Sequence, residues 1–350
     1  MSHRARQILI VKPSSLGDIV LALPALSALY HTFPDARIHW LIRPEFASLL
    51  EGHPYLHRVV SFDRTKLARI WNPGALRLLY NLIKDLRHCG FDTVFDFQGL
   101  LRSALLGRVT GSSQRIGMAN AREGATRFYT HRIEPENNNL HLVDHYLKMV
   151  QAAGAKIDKT EFVFADGPED WNTVTLLLQQ YHIDPLHYAV FIPGSVHDSK
   201  CWPSDRFALL ADKLHQDYDL PVVAVGSGSE KQSVDSIAHH AKEPLINLAG
   251  QTSLKSLCAL LRNAKLVVSN DTGPGHIAAG LGVPLVMLFS WSNPARIYPY
   301  NRPECMVAIE PFARDPKIIK SRDPRHHVEN IFFDTVYVKV KEQLQNTACP

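Results

Sequence analysis

The chain lacks any apolar run of the roughly 18 residues needed to span a bilayer, and its five cysteines never form a Cys-x-x-Cys pair. The first absence argues against a transmembrane protein. The second argues against a disulfide framework or a structural zinc site, because Cys89, Cys201, Cys258, Cys305 and Cys349 are scattered. There is no low-complexity tract and no short repeat. The run Gly226-Ser227-Gly228-Ser229 does not complete G-x-G-x-x-G, so it is no dinucleotide fingerprint. The pair His326-His327 points two ways on either a helix or a strand, with no acid or Cys at ligand spacing, which argues against a metal. His3, Arg4 and Arg6 ahead of Ile8 to Val11 faintly resemble a secretory signal. Lys12 and Asp18 break that stretch, so a strand and a cytoplasmic protein are expected.

What is present is ordinary in bulk. The 350 residues are 45% hydrophobic and 21% charged, which suits a soluble chain of two domains. The net charge of +4 is unevenly spread. Residues 1–165 hold 21 Lys and Arg against 14 Asp and Glu, a net +7, and residues 166–350 hold 17 against 20, a net −3. A basic first half suggests an acidic partner there: nucleic acid, anionic lipid or a phosphorylated substrate.

Strand patterns at Gln7–Lys12, Ile38–Ile42, Val59–Phe62, Thr93–Phe97 and Arg115–Gly117 alternate with helical ones at 19–30, 76–86 and 100–109. After a helix at 141–153, Gly167-Pro168-Glu169-Asp170 marks a change of domain. The pattern then restarts. Strands are expected at 188–192, 221–225, 264–268 and 283–289, helices at 171–181, 206–216, 231–241 and 254–262, and a last helix at 328–344. Such alternation predicts βαβ units, a parallel sheet in each half, and ligand turns at the strand ends.

The stretch from Val267 to Gly280 organises the rest. It reads as a strand, a turn carrying Asp271, Thr272, Gly273, Gly275 and His276, and a helix opening at Ile277. Glycines allow close backbone approach, and a helix N-terminus favours an anion, so a phosphate could sit there. An ordinary capped turn is the alternative. Asp18, after the first strand beside Ser14, Ser15 and Gly17, could take a proton from a hydroxyl or could simply cap its helix. Lys200, past the strand-end turn Pro193-Gly194-Ser195, could pair with phosphate or lie solvated. Glu230 could bind ribose hydroxyls or favour the first turn of its helix. Arg64, Lys66 and Arg69 follow the third strand and Arg102 follows the Gln98-Gly99 turn, with Arg122 further on. Turns after parallel strands share one edge, so Arg64, Lys66 and Arg102 could line the same side as Asp18.

These residues resemble a family. Lys12-Pro13-Ser14-Ser15-Leu16-Gly17-Asp18, then Leu23-Pro24-Ala25-Leu26, is similar to the N-terminal signature of the ADP-heptose:lipopolysaccharide heptosyltransferases, glycosyltransferase family 9. Asp96-Phe97-Gln98-Gly99-Leu100, Lys200-Cys201-Trp202-Pro203 and Ser269 to His276 match further family motifs in order. Cys201 within the Lys-x-Trp-Pro segment departs from the usual pattern, and residues 308–327 match weakly. Gln7–Asp18 and His141–Tyr146 lean toward the member that adds the first heptose.

The resemblance implies an α/β GT-B fold of two Rossmann-like, doubly wound domains facing a central cleft. Residues 1–165 would bind the acceptor, 166–325 the sugar nucleotide, and a C-terminal helix in 326–350 would pack back on the first domain. It implies inverting, metal-independent transfer of L-glycero-D-manno-heptose from ADP-heptose to Kdo–lipid A, without a cofactor. Asp18 would be the base. Ser195, Lys200, Glu230, Asp271, Thr272, Gly273 and His276 would bind the donor. Arg64, Lys66, Arg69 and Arg122 would bind the acceptor, with Arg102 joining them from its place on the same sheet edge. The protein would sit peripherally on the cytoplasmic face of the inner membrane and bind no nucleic acid. A family 9 transferase with another sugar nucleotide or acceptor is the alternative, or a nucleotide-sugar binder without catalysis.

Overall fold

The computed structural model describes residues 6–67, 72–135, 141–315 and 318–347. The chain falls into two units, Met1–Ala165 and Asp166–Pro350. Each is built on a six-stranded, all-parallel sheet.

In the first unit the strands are β1 (Gln7–Val11), β2 (Arg37–Ile42), β3 (Arg58–Ser61), β4 (Thr93–Asp96), β5 (Gln114–Met118) and β6 (His131–Ile133), in the order β3-β2-β1-β4-β5-β6. β1 is buried along its whole length, as a central parallel strand covered on both faces must be. Its register places Leu9 beside His39 and Val94. Leu9 and Val11 pack with Leu41, Val60, Leu86, Phe91 and Leu106 on one face.

The second unit holds β7 (Ala189–Ile192), β8 (Val222–Ala224), β9 (Leu245–Asn247), β10 (Leu266–Asn270), β11 (Leu285–Phe289) and β12 (Met306–Ala308), in the order β12-β11-β10-β7-β8-β9. Counted from its own first strand, this is the same winding as the first sheet. Strand order reverses between β1 and β4 in one unit and between β7 and β10 in the other. Ligands of open α/β sheets bind outside the carboxyl ends of the strands at such a reversal. The fold therefore nominates two loci: the loops after β1 and β4, and the loops after β7 and β10.

Three strands absent from the sequence reading, β6, β9 and β12, are all three-residue edge strands. An edge strand needs no continuous apolar run, and short edges limit stray pairing. The expected helix at 19–30 is two helices, Leu16–Leu21 and Leu23–Thr32, with Pro24 in the first turn of the second. Helix Gly273–Leu281 opens four residues before its expected start. Pro274 reads as a helix breaker but is tolerated in a first turn, where its missing N–H has no partner to lose.

The family resemblance implies that the last helix, Phe333–Thr347, returns to the first domain. The structure places its buried face in the second unit, where Val336 and Val340 join the core of β7, β8, β10 and β11. The apolar stripe spaced four residues apart is satisfied by that sheet. No described helix is long and apolar enough to cross a membrane.

Candidate active site

At the reversal of the second sheet, β10 ends in Asn270 and the next residue is Asp271, 6% exposed. Lys200, from the loop after β7, donates to Asp271 Oδ2 at 2.5 Å, and His276 Nε2 lies 3.7 Å from Oδ1. Burial would raise the Asp271 carboxyl. His276 and Lys200 outweigh it and hold the group far below its ordinary range. The three side chains thus form a largely buried polar cluster around an ionised Asp271. Nδ1 of His276 is buried with no hydrogen-bond partner among the described residues.

Beside this cluster begins helix Gly273–Leu281, with Thr272 as its N-cap residue. The Thr272 side chain makes no cap hydrogen bond, so the helix start keeps its donors for a ligand. Packing requires glycine at 275. A Cβ there would sit 2.5 Å from Ser269 Oγ and 3.2 Å from the Asn270 carbonyl. Gly275→Ala should therefore destabilise the protein by about 1–3 kcal/mol through overpacking. Urea denaturation measures this, and an unchanged midpoint would refute it.

Asn270 ties the locus together. Fully buried, it donates to the Pro193 carbonyl at 2.6 Å and accepts from the Trp202 amide at 3.2 Å. Glu230 takes the capping role expected of it. Its Oε2 accepts from the Ser227 amide and hydroxyl at 2.6 and 2.7 Å, as a first-turn cap. Its Oε1 lies where a Cβ on Gly194 would be, 2.0 Å away, so only glycine at 194 admits it to the end of β7. Ser195 is half-buried in the same loop.

At the reversal of the first sheet, Asp18 lies in the first turn of helix Leu16–Leu21, with its side chain 35% exposed. Its Oδ2 accepts from the Ser15 amide, the Ser15 hydroxyl and Lys12 Nζ, each at 3.2 Å. Burial pushes its pKa up, but the Lys12 charge and the hydrogen bonds from Ser15 and Lys12 prevail and lower it. Asp18 thus caps its helix, and the same capping contacts keep its carboxylate ionised and fixed. Lys12 itself is buried, with its ammonium 5.9 Å from the Tyr146 ring centre.

Asp96, at the end of β4, is the organiser that the sequence reading left without a role. Its Oδ1 accepts from the amides of Gln98 and Gly99, and its Oδ2 from Ser103 Oγ and Tyr129 OH, at 2.7–3.0 Å. Burial raises its pKa against all four donors. It shapes the turn after β4 and lies too deep, 3% exposed, to serve a substrate directly.

The basic residues separate. Arg64 and Arg102 line one depression with Pro13, Ser14, Arg43 and Gln98, drawn from the loops after β1, β2, β3 and β4. Among the described residues neither Arg64 nor Arg102 is ion-paired, so both are available to an anion. Lys66 pairs with Asp63 at 3.1 Å on the surface. Arg122 is exposed, and its amide donates to the Gly99 carbonyl at 2.9 Å, which fixes it beside the β4 turn. Arg69 lies outside the described residues. Arg43 was missed, although it follows β2 as Arg64 follows β3.

Residues 79–321 match glycosyltransferase family 9 (heptosyltransferase). The chain belongs to that family. It is therefore an enzyme, a glycosyltransferase, and its fold is GT-B. Lipopolysaccharide heptosyltransferase 1 of Pseudomonas aeruginosa is 29% identical over 309 residues, 85% of this chain and 82% of its own. Lipopolysaccharide heptosyltransferase 3 of Escherichia coli K12 is 28% identical over 283 residues, 78% and 79% of the two chains. Among solved structures, the family 9 glycosyl transferase of Veillonella parvula superposes with a TM-score of 0.82 at 20% identity, covering 99% of both chains. E. coli heptosyltransferase WaaC with ADP gives 0.75 at 24%, covering 96% and 99%.

The family match includes the segment after β12, where the sequence reading assigned nothing. Arg314, 6% exposed, donates to the carbonyls of Ser290 and Ser292, both at 2.7 Å, and of Ile309 at 2.9 Å. Ser321 N donates to the Trp291 carbonyl at 2.7 Å. This segment clamps the loop after β11. Such backbone-directed contacts leave no periodic mark in a sequence. His326 of the expected non-metal pair is buried and bonds Ser321 Oγ at 2.6 Å.

Proposed function

We propose that this glycosyltransferase moves L-glycero-D-manno-heptose from ADP-heptose to the Kdo–lipid A inner core of lipopolysaccharide, with inversion and without a metal. Asp18 carries the reading: a carboxylate held ionised at the ligand edge of a sheet whose strand-end loops also bring Arg64 and Arg102 to one depression. The relatives' names supply the sugar and the glycan. E. coli heptosyltransferase WaaC is known in structures with ADP and with ADP-2-deoxy-2-fluoro heptose, which supports the donor.

In this reading Asp18 accepts the proton of an acceptor hydroxyl as its oxygen attacks the anomeric carbon. The bond to the diphosphate oxygen breaks on the opposite face, and its electron pair leaves with ADP. One base suffices for such an inverting displacement. Lys200, His276 and the helix start at Gly273 hold the departing charge where water is scarce. Thr272 and Ser195 add hydroxyl donors, and Glu230 accepts from the ribose. Arg64, Arg102 and Arg122, with Lys66 and Arg69, receive the phosphates and Kdo carboxylates of an acceptor at the inner membrane surface. No cofactor takes part.

The test is mass spectrometry of products from purified enzyme, ADP-heptose and deacylated Kdo–lipid A. A product heavier by one heptose supports the proposal; an unmodified acceptor refutes it. A family 9 enzyme for another sugar would give product only with that nucleotide sugar. EDTA should leave the rate within about twofold of the untreated value, because fixed protein charge stabilises the leaving group. A loss restored by Mg²⁺ would contradict the metal-free step.

A further inference from the structure

Trp291 follows β11 on the clamped loop, and two ammonium groups lie over its ring. Lys200 Nζ is 4.9 Å from the ring centre and Lys320 Nζ is 4.4 Å from it, so the two nitrogens are within about 9.3 Å of each other. The indole N–H donates to Ser199 Oγ at 3.0 Å, which fixes the ring against the loop that carries Lys200. Lys320 is placed by its own backbone, through an antiparallel bridge to Ser292.

The charges of the two lysines differ. Lys200 is neutralised by Asp271 at 2.5 Å. Lys320 is exposed, and no carboxylate among the described residues pairs with it. We propose that Lys320 is a second diphosphate-binding residue, which supplies the unpaired positive charge that the Lys200–Asp271 pair lacks. This rests on the reading of a nucleoside diphosphate sugar as donor.

Topology assigns Lys320 to one end of the diphosphate. Glu230 follows β8, Lys200 follows β7, Asp271 follows β10 and Trp291 follows β11. The sheet order runs β8, β7, β10, β11 across that edge. A nucleoside held at Glu230 puts its first phosphate near Lys200 and the helix start. The second phosphate then points toward Trp291 and Lys320. A separation of at most about 9.3 Å lets neighbouring phosphates of one diphosphate each accept a charge-assisted hydrogen bond from one of the two lysines. When the sugar bond breaks, that distal phosphate gains the negative charge.

Calorimetric titration with ADP and with AMP tests the assignment on wild-type protein, Lys320→Met and Lys320→Arg. Methionine keeps the apolar contact with Trp291 and removes the charge. Lys320→Met should bind ADP about tenfold more weakly, the scale of one hydrogen bond to a charged group, with AMP affinity changed less than about twofold. Lys320→Arg should stay within about threefold of wild type for both. Tm of each variant reads folding separately. Unchanged ADP affinity in Lys320→Met overturns the assignment. So does an equal loss for ADP and AMP, which marks a loosened Trp291 loop. Wild-type protein that binds no ADP overturns the donor reading, and this inference with it.

Discussion

Asp18→Asn should lower kcat by about 10³-fold, within the range for a positioned general base, while ADP affinity stays within about twofold. The amide keeps the shape of the carboxylate and can still accept from Ser15 and Lys12, so the helix start should survive. What it cannot do is take a proton. The proposed donor residues lie in the other unit, so titration with ADP separates the two effects. A variant with near wild-type turnover would remove Asp18 from the chemistry. The pH profile adds a second check. Asp18 works deprotonated, and its pKa is held below the usual carboxylate value by Lys12 and Ser15 against the effect of burial. Its acid limb in kcat should therefore fall below pH about 4, with no loss between pH 5 and 7 from this group.

Lys200→Met should weaken ADP binding by about 100-fold, because truncating a desolvated charge partner costs about 2–5 kcal/mol. It should also destabilise the free protein, since Asp271 then loses the ammonium that pairs with it in a buried site. The sign with pH follows from the depressed Asp271 pKa. A depressed carboxyl contributes stability that is fully present above its unfolded value, about 3.9, and lost as pH falls toward its folded value. The gap in urea stability between wild type and Lys200→Met should be widest near neutral pH and shrink in acid below pH about 4. A constant gap across that range would mean that Lys200 stabilises the fold by packing alone.

Both loci were legible in the sequence because their chemistry directly follows fully buried strands. Asp18, Lys200 and Asp271 each stand just past an apolar run that could only be a central strand. The edge strands His131–Ile133, Leu245–Asn247 and Met306–Ala308 were illegible because three residues at a sheet margin carry no pattern. Asp96 sat in a quoted motif, but its work depends on Tyr129, 33 positions away, and on backbone amides. Arg43 could have been found by applying the strand-end rule to β2. The clamp by Arg314 on Ser290 and Ser292 could not, since a side chain that binds carbonyls imposes no residue type on its partners. The apolar stripe of the last helix, Val336 and Val340, requires a surface to cover, and spacing alone does not name which sheet offers it.

The rate of ADP release from ADP-heptose, measured with and without deacylated Kdo–lipid A, tests the central claim most directly. Transfer to that acceptor predicts release that is slow alone and rises with acceptor concentration to saturation. Release that is independent of the acceptor, or absent in its presence, would contradict it.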